Sequence, residues 1–375
     1  MIRKMTGVRV YWIIVVATIL LGLIMPQQGY GKKYYIWVMA IIHTFVCGFR
    51  YMYLTGDLRN YAADYYNYRS LGWFNSEVFQ EGRNTGFAWL MKFISGMTNG
   101  NFQILLLIIA IIIEVALAIL IYRYSPKPWM SYLVWNCMGF YIFGFSAIKQ
   151  ALAMAFLMIA MVYIFEERPK AFVITVLIAG TIHTPALIFL PAYWICKFRL
   201  NTKVILSYLV FAGIVFSFRT SIVEIMTDLY YDETSFVMNT DVLGGGFFVI
   251  VLILICGVML KGLTNSNFRR VYNLIIVAAI FQMFAGFDNV FTRLANYYLQ
   301  FAVLLIPMIF SSSEDFEERD EGSIEAIVQF DPKSIALIIL VLMIILIWWY
   351  QRTTLGVDIS FEVDNYLNFR FMWDV

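Results

Sequence analysis

Apolar runs of about 17–25 residues, each long enough to cross a bilayer as a helix, recur along nearly the whole chain. They fall near residues 8–25, 34–53, 101–122, 129–146, 147–165, 171–196, 203–218, 246–263, 270–287, 292–310 and 334–350. In hydrocarbon every backbone N–H and C=O must find its partner within the protein, so runs of this length fold as helices. The expected fold is therefore an all-α polytopic integral membrane protein, a single domain over residues 1–375 with about 11 transmembrane helices. Composition agrees, at 61% hydrophobic and 14% charged, against roughly half and a quarter in soluble domains. The opening "MIRKMTGVRVYWIIVVATILLGLIMP" has no small-residue cleavage site after it and reads as a retained first span, not a signal peptide.

Three polar segments separate the spans. Residues 54–100 form the longest loop, rich in acids, arginines and tyrosines; residues 219–245 are acidic and end in "GGG"; residues 311–333 are acidic and poorly patterned. The "HTP" at 183–185 interrupts the 171–196 run, which is either one kinked helix or two half-helices meeting at His183 and Pro185. Short-loop Lys and Arg mark the cytoplasmic side. Placing Lys32/Lys33, Arg123/Lys127, Arg168/Lys170, Lys197/Arg199/Lys203 and Lys261/Arg269/Arg270 inside makes 171–196 a hairpin and puts 54–100 and 219–245 outside. The 311–333 loop is then cytoplasmic, while Arg3, Lys4 and Arg9 disagree by preceding the first span on the outer side. Folding back on the outer face beneath the long loop is one fate open to the last segment, from Gln351.

Several functional classes are excluded or ranked low. Scattered cations between apolar runs are topology signals and give no nucleic-acid-binding face. Four isolated cysteines and two histidines supply no CxxC or Cys/His metal spacing. Phosphate-loop, zincin, nucleophile-elbow and dinucleotide signatures are missing, as is a DxD pair for a metal-bound nucleotide sugar, so a sugar donor here would come on a lipid.

Four places carry candidate chemistry. In "GDLRNYAADYYNYRS", a helical reading puts Asp57, Tyr61, Asp64, Tyr65 and Tyr68 on one face. That face is either an interfacial tyrosine belt or a set of carboxylates and flat rings suited to sugars, with Arg50 and Arg59 adding charge. Lys149 and Gln150, with Ser146 and Ala153, form a narrow polar and small stripe that either snorkels at a helix end or lines an interhelical cavity. His183 is either a packing residue or a buried general base beside a broken helix. Arg293, Asn296, Tyr297 and Gln300 fall at i, i+3, i+4 and i+7. Inside a membrane Arg293 needs an anion, either Asp288 or a phosphate gripped bidentately. His43 and Glu114 stand alone in their spans, without a stripe.

The order of these motifs resembles the EpsG family of Wzy-like polymerases of bacterial exopolysaccharide and capsule. Carrying the resemblance are an arginine before a "GxD…Y" loop (Arg50, Gly56, Asp57, Tyr61), a basic-Gln pair opening an Ala-rich helix (Lys149, Gln150, Ala151, Ala153), "A…HxxALIFLP" (Ala179, His183, Ala186 to Pro191) and a late "R…Y" (Arg293, Tyr297). It covers roughly residues 35–310. Two positions depart from the family pattern: Lys149 stands where Arg is usual, which keeps charge but not a bidentate grip, and Leu58 follows Asp57 where Tyr is common.

The resemblance implies a metal-independent glycosyltransferase without cofactors in the bacterial plasma membrane, acting on its outer face. Its substrate would be oligosaccharide repeat units on a polyprenyl (undecaprenyl) diphosphate, with the bilayer and other polysaccharide-assembly proteins as partners and no nucleic acid. It assigns Arg50, Lys149 and Arg293 to the diphosphates, Tyr61, Tyr65, Gln150 and Tyr297 to sugars, and Asp57 or His183 to the catalytic base. The alternatives are a flippase or exporter of lipid-linked sugars, a ligase, or an O-acyltransferase.

Overall fold

The structure, a computed structural model, describes residues 2–72, 84–230, 245–263, 265–311 and 371–373. The expected span at 334–350, residues 312–333 of the acidic loop and most of the final segment lie outside them. In chain order the helices are α1 (Ile2–Ile24), α2 (Gly29–Gly48), α3 (Gly56–Ser70), α4 (Thr85–Met97), α5 (Phe102–Tyr124), α6 (Pro128–Cys137), α7 (Phe140–Phe143), α8 (Ile148–Phe165) and α9 (Pro169–Ile182). A 3-10 turn (Thr184–Phe189) follows, then α10 (Ala192–Ile195), α11 (Thr202–Ser217), α12 (Arg219–Tyr230), α13 (Gly245–Lys261), α14 (Ser266–Met283), α15 (Asn289–Leu299) and α16 (Ala302–Ile309). Among the described residues the fold is all-α; one isolated bridge pairs Arg50 with Phe371.

The sequence accounts for these elements locally. Helix α5 begins where the Asn101 side chain accepts a 3.1 Å bond from Gln103 N, satisfying one of the free N–H groups of a first turn. It then runs 23 residues without Gly or Pro. Helix α8 packs between α5 and α9. Its buried Ala151, Ala153, Ala155 and Ala160 let backbones approach closely, which drives helix association in lipid where apolar burial does not.

By length and apolar composition α5 and α8 can cross a membrane, and the bent pair of α11 with the start of α12 makes a third if counted as one span. Among the described residues that is fewer than the eleven crossings expected from hydropathy, and two of the apolar runs are broken. The 129–146 run is split into α6 and α7 at Gly139, whose φ of +83° is a conformation glycine adopts freely. The 171–196 run is also in two pieces. Helix α9 stops at Ile182, His183 is extended (φ −147°, ψ 103°), and the chain turns back through Pro185 and α10. Rings of Phe172 and Tyr193, 5.5 Å apart, close this hairpin.

The helices give the molecule two chemically different ends. At one, Lys32 donates to Ser125 O at 2.9 Å, Lys127 to Phe310 O at 2.7 Å and Lys261 to Ser311 O at 3.0 Å. There Arg123 and Arg168 also pair with Glu166, and Arg270 with Glu167. The cationic loops read from sequence as one side of a membrane thus meet at one end. At the other end lie the C-terminus of α2, the N-termini of α5 and α8, and the His183 break. Helix α1 runs between the two, from Tyr11 on the Phe145 ring to Gly22 against Trp129. Residues 371–373 lie at the far end too: Met372 N donates to Phe49 O at 2.9 Å, and the Phe371 and Trp373 rings stack beside Phe45.

Candidate functional site

Helix α3 starts at Thr55, whose side chain accepts from Leu58 N at 3.3 Å. This places Asp57 in the first turn, where the helix dipole favours a carboxylate. Asp57 Oδ2 accepts a 3.1 Å bond from Ser146 Oγ, in the turn that leads into α8. Arg50 holds that turn from below. Its Nε donates to Phe145 O at 3.3 Å, its Nη2 to Gly144 O at 3.5 Å and its Nη1 to Cys47 O. The side chain is 1% exposed, with its guanidinium 5.3 Å from the Phe145 ring. Arg50 therefore shapes the site from behind and does not line its surface.

In the first turn of α8, the Lys149 ammonium lies 5.0 Å from the centroid of the Tyr61 ring and 5.7 Å from that of Phe87. Among the described residues no hydrogen bond or ion pair engages it. A ring face attracts a cation through its quadrupole without neutralising it, so the positive charge stays available at a half-buried position. The neighbouring Gln150 donates through Nε2 to Arg293 O at 2.8 Å. That bond ties α8 to α15 at the level of the half-buried Arg293. Gln150 Oε1 is enclosed with no partner among the described residues.

His183, at the break after α9, shares a 2.9 Å hydrogen bond between Nδ1 and the hydroxyl of Tyr297 on α15. Both side chains are buried. Lys149 and Arg293 are each near enough to act electrostatically on the His183 ring. Next door, Tyr298 donates to Ile188 O at 2.5 Å, so consecutive tyrosines of α15 clamp the two sides of the break. Asp288 caps α15 by accepting from Val290 N at 2.7 Å.

Asp57, Tyr61, Lys149, Gln150, His183, Arg293 and Tyr297 thus meet at one end of the molecule, drawn from α3, α8, the break after α9, and α15. Tyr65 is placed differently. Its ring is buried against Phe102, and its hydroxyl bonds Thr98 Oγ1 at 2.9 Å and Asn101 O at 3.3 Å, which fastens α3 to the α4–α5 corner. His43 is a packing residue, its ring nitrogens 2.8 Å from Met39 O and 2.9 Å from Asn136 Oδ1.

Two site residues escaped the sequence reading. Asn84 Oδ1 accepts from Thr184 N at 3.0 Å, linking the end of the long polar loop to the residue after His183. Phe87 supplies the second ring under Lys149. An N-cap Asn ahead of an apolar helical run was the available signal, hidden inside a loop read as one unit.

A model of the EpsG family matches residues 33–368. The chain belongs to the EpsG family. No curated protein and no solved structure matches it. EpsG membership and the apolar helices fit a membrane protein of exopolysaccharide biosynthesis with a polymerase-like role. The residues that carried the resemblance from sequence are those that converge in space, apart from Arg50 beneath the site.

Proposed function

We propose that this EpsG-family protein is a repeat-unit polymerase: a metal-independent glycosyltransferase of the bacterial plasma membrane. It joins oligosaccharide units carried on polyprenyl diphosphate at the outer face. The single observation behind this reading is Lys149, a half-buried cation seated on Tyr61 and Phe87 with no acid partner among the described residues. It stands in one cluster with Arg293, His183 and Asp57. An unneutralised cation in a membrane is costly, and a diphosphate at headgroup depth offsets that cost.

In the reaction, a hydroxyl of one lipid-linked unit attacks the anomeric carbon of the chain on another carrier. The bond from that carbon to the diphosphate oxygen breaks, and the diphosphate leaves with the electron pair. Lys149 and Arg293 stabilise the charge that develops on it. The hydroxyl proton passes to Asp57, which is half-buried at the start of the polar loop, whereas His183 is more deeply enclosed and engaged with Tyr297. Ser146 orients the carboxylate, Tyr61 and Gln150 border the sugar path, and His183 sets the position of Tyr297. The cationic end faces the cytoplasm in this reading, which keeps the topology of about 11 crossings with the site outside.

The test is the length of glycan on lipid carriers in cells lacking the protein, resolved on a gel beside wild type. Single repeat units accumulating on the carrier, with long chains lost, is the expected result. Long lipid-linked chains that persist without reaching the surface would overturn it in favour of a ligase or exporter.

A further inference from the structure

Arg219 stands at the bend where α11 gives way to α12, the two axes turning by 67°. The sixteen residues of α11 rise about 24 Å. A helix that starts beside Lys203 at the cationic end therefore delivers Arg219 to the opposite end, where the Lys149 cluster lies. The guanidinium carbon is 4.4 Å from the centroid of the Phe216 ring and 5.3 Å from that of Phe287. Nη1 donates to Phe216 O at 2.8 Å, and Nε is enclosed with no partner among the described residues. No acid pairs with the group among those residues.

Helix stability does not explain this arginine. A cation in a first turn opposes the helix dipole, and that turn of α12 contains no acid. Its surroundings point to the site instead. Phe287 immediately precedes Asp288, the cap of the helix that carries Arg293. Both α8 and α12 pack against the Thr184–Phe189 turn. Lys149 and Arg219 are thus two cations at one end of the molecule, each resting on two aromatic rings, each on a helix that touches the same turn.

A transferase that joins two lipid-linked units handles two diphosphates, and this step rests on that reading. One diphosphate leaves at the bond being broken, so it must lie within the Lys149–Arg293 cluster. The other stays on the acceptor, separated from the reacting hydroxyl by the length of an oligosaccharide. Its seat belongs at the same depth but outside the cluster. We propose that Arg219 binds the polyprenyl diphosphate of the acceptor unit. A guanidinium forks onto two phosphate oxygens, while Phe216 and Phe287 hold its plane.

The full-length protein in a phosphate-free maltoside detergent is titrated calorimetrically with farnesyl diphosphate, a short polyprenyl diphosphate. Wild type is expected to take up two equivalents, and Arg219→Gln and Lys149→Gln one each. Arg219→Lys, which keeps the charge and guards against a folding defect, keeps both equivalents with one weakened about tenfold. Two unweakened equivalents in Arg219→Gln overturn this inference alone. Two unweakened equivalents in Lys149→Gln with one in Arg219→Gln overturn the placement of the leaving diphosphate and leave Arg219 standing. In nanodiscs containing phosphatidylglycerol the second equivalent must persist. Its loss there would make Arg219 an anchor for bilayer phosphate and overturn the assignment.

Discussion

Ser146 Oγ donates a 3.1 Å hydrogen bond to Asp57 Oδ2, joining residues 89 positions apart. The contact brings the first turn of a helix in the long polar loop onto the turn that opens α8. Asp57 consequently shares one end of the bundle with Lys149, which lies three residues after Ser146. Arg50 braces the same turn through the carbonyls of Gly144 and Phe145. A cation chosen from sequence as a ligand for diphosphate instead fixes the backbone on which the Asp57–Ser146 pair depends.

If Asp57 takes the acceptor proton, Asp57→Asn should lower polymerisation by about 10²–10⁴-fold, the range of a general base, while the melting temperature changes little. Ser146→Ala removes only the orienting bond and should cost about tenfold or less. The check is the rate of chain growth with purified lipid-linked repeat units. Equal losses in the two variants would shift the essential role from the carboxylate to the hydrogen bond.

The seat of Lys149 makes a separate prediction. Tyr61→Phe keeps a ring face and should leave activity within a few-fold of wild type, whereas Tyr61→Leu forfeits a cation–π contact of about 0.5–2 kcal/mol. Lys149→Gln should lose far more than either, because it removes the charge itself. A Tyr61→Phe variant as inactive as Lys149→Gln would show that the Tyr61 hydroxyl, and not its ring, is what the reaction needs.

Much of this was legible in the chain. The helical period put Asp57 and Tyr61 on one face, the Lys149–Gln150 pair marked a polar entry to α8, and Pro185 marked the break at His183. What period cannot report is which way a face turns. Tyr65 shares the Asp57 face by spacing, yet its ring is buried against Phe102 and its hydroxyl bonds Thr98. Hydropathy likewise read 129–146 as one span, because a glycine with positive φ costs nothing on an apolar scale while ending a helix at Gly139. Asn84 was missed for a different reason. Its partner, Thr184, lies 100 residues away, and no local pattern encodes that meeting.

The bond between Tyr297 and His183 Nδ1 can be tested without an assay of sugars. Tyr297→Phe keeps the ring in its buried place and removes the hydroxyl. Taking one partner from a buried hydrogen bond costs about 1–3 kcal/mol, so the variant should melt earlier. His183→Phe replaces the other partner with an apolar ring, and the double variant should lose less than the two single losses added together. Strict additivity would mean that the two side chains do not act as a pair.

Gly86 supplies the last prediction, because it lets α4 meet the end of α9. A Cβ added there would lie 2.3 Å from Thr181 Oγ1 and 3.0 Å from Thr181 O. The second atom is backbone, so the contact is not relieved by a side-chain rotation, and the helix ends must part. Overpacking of this kind costs about 1–3 kcal/mol. Parting them also draws Asn84, two residues earlier, away from Thr184 N and loosens the backbone beside His183. Gly86→Ala should therefore melt earlier and make shorter glycan chains. Adding Thr181→Ala removes the Oγ1 clash but leaves the carbonyl and Cβ contacts, so it should restore part of each loss. A double variant no better than Gly86→Ala alone would place the effect of that glycine somewhere other than its contact with Thr181.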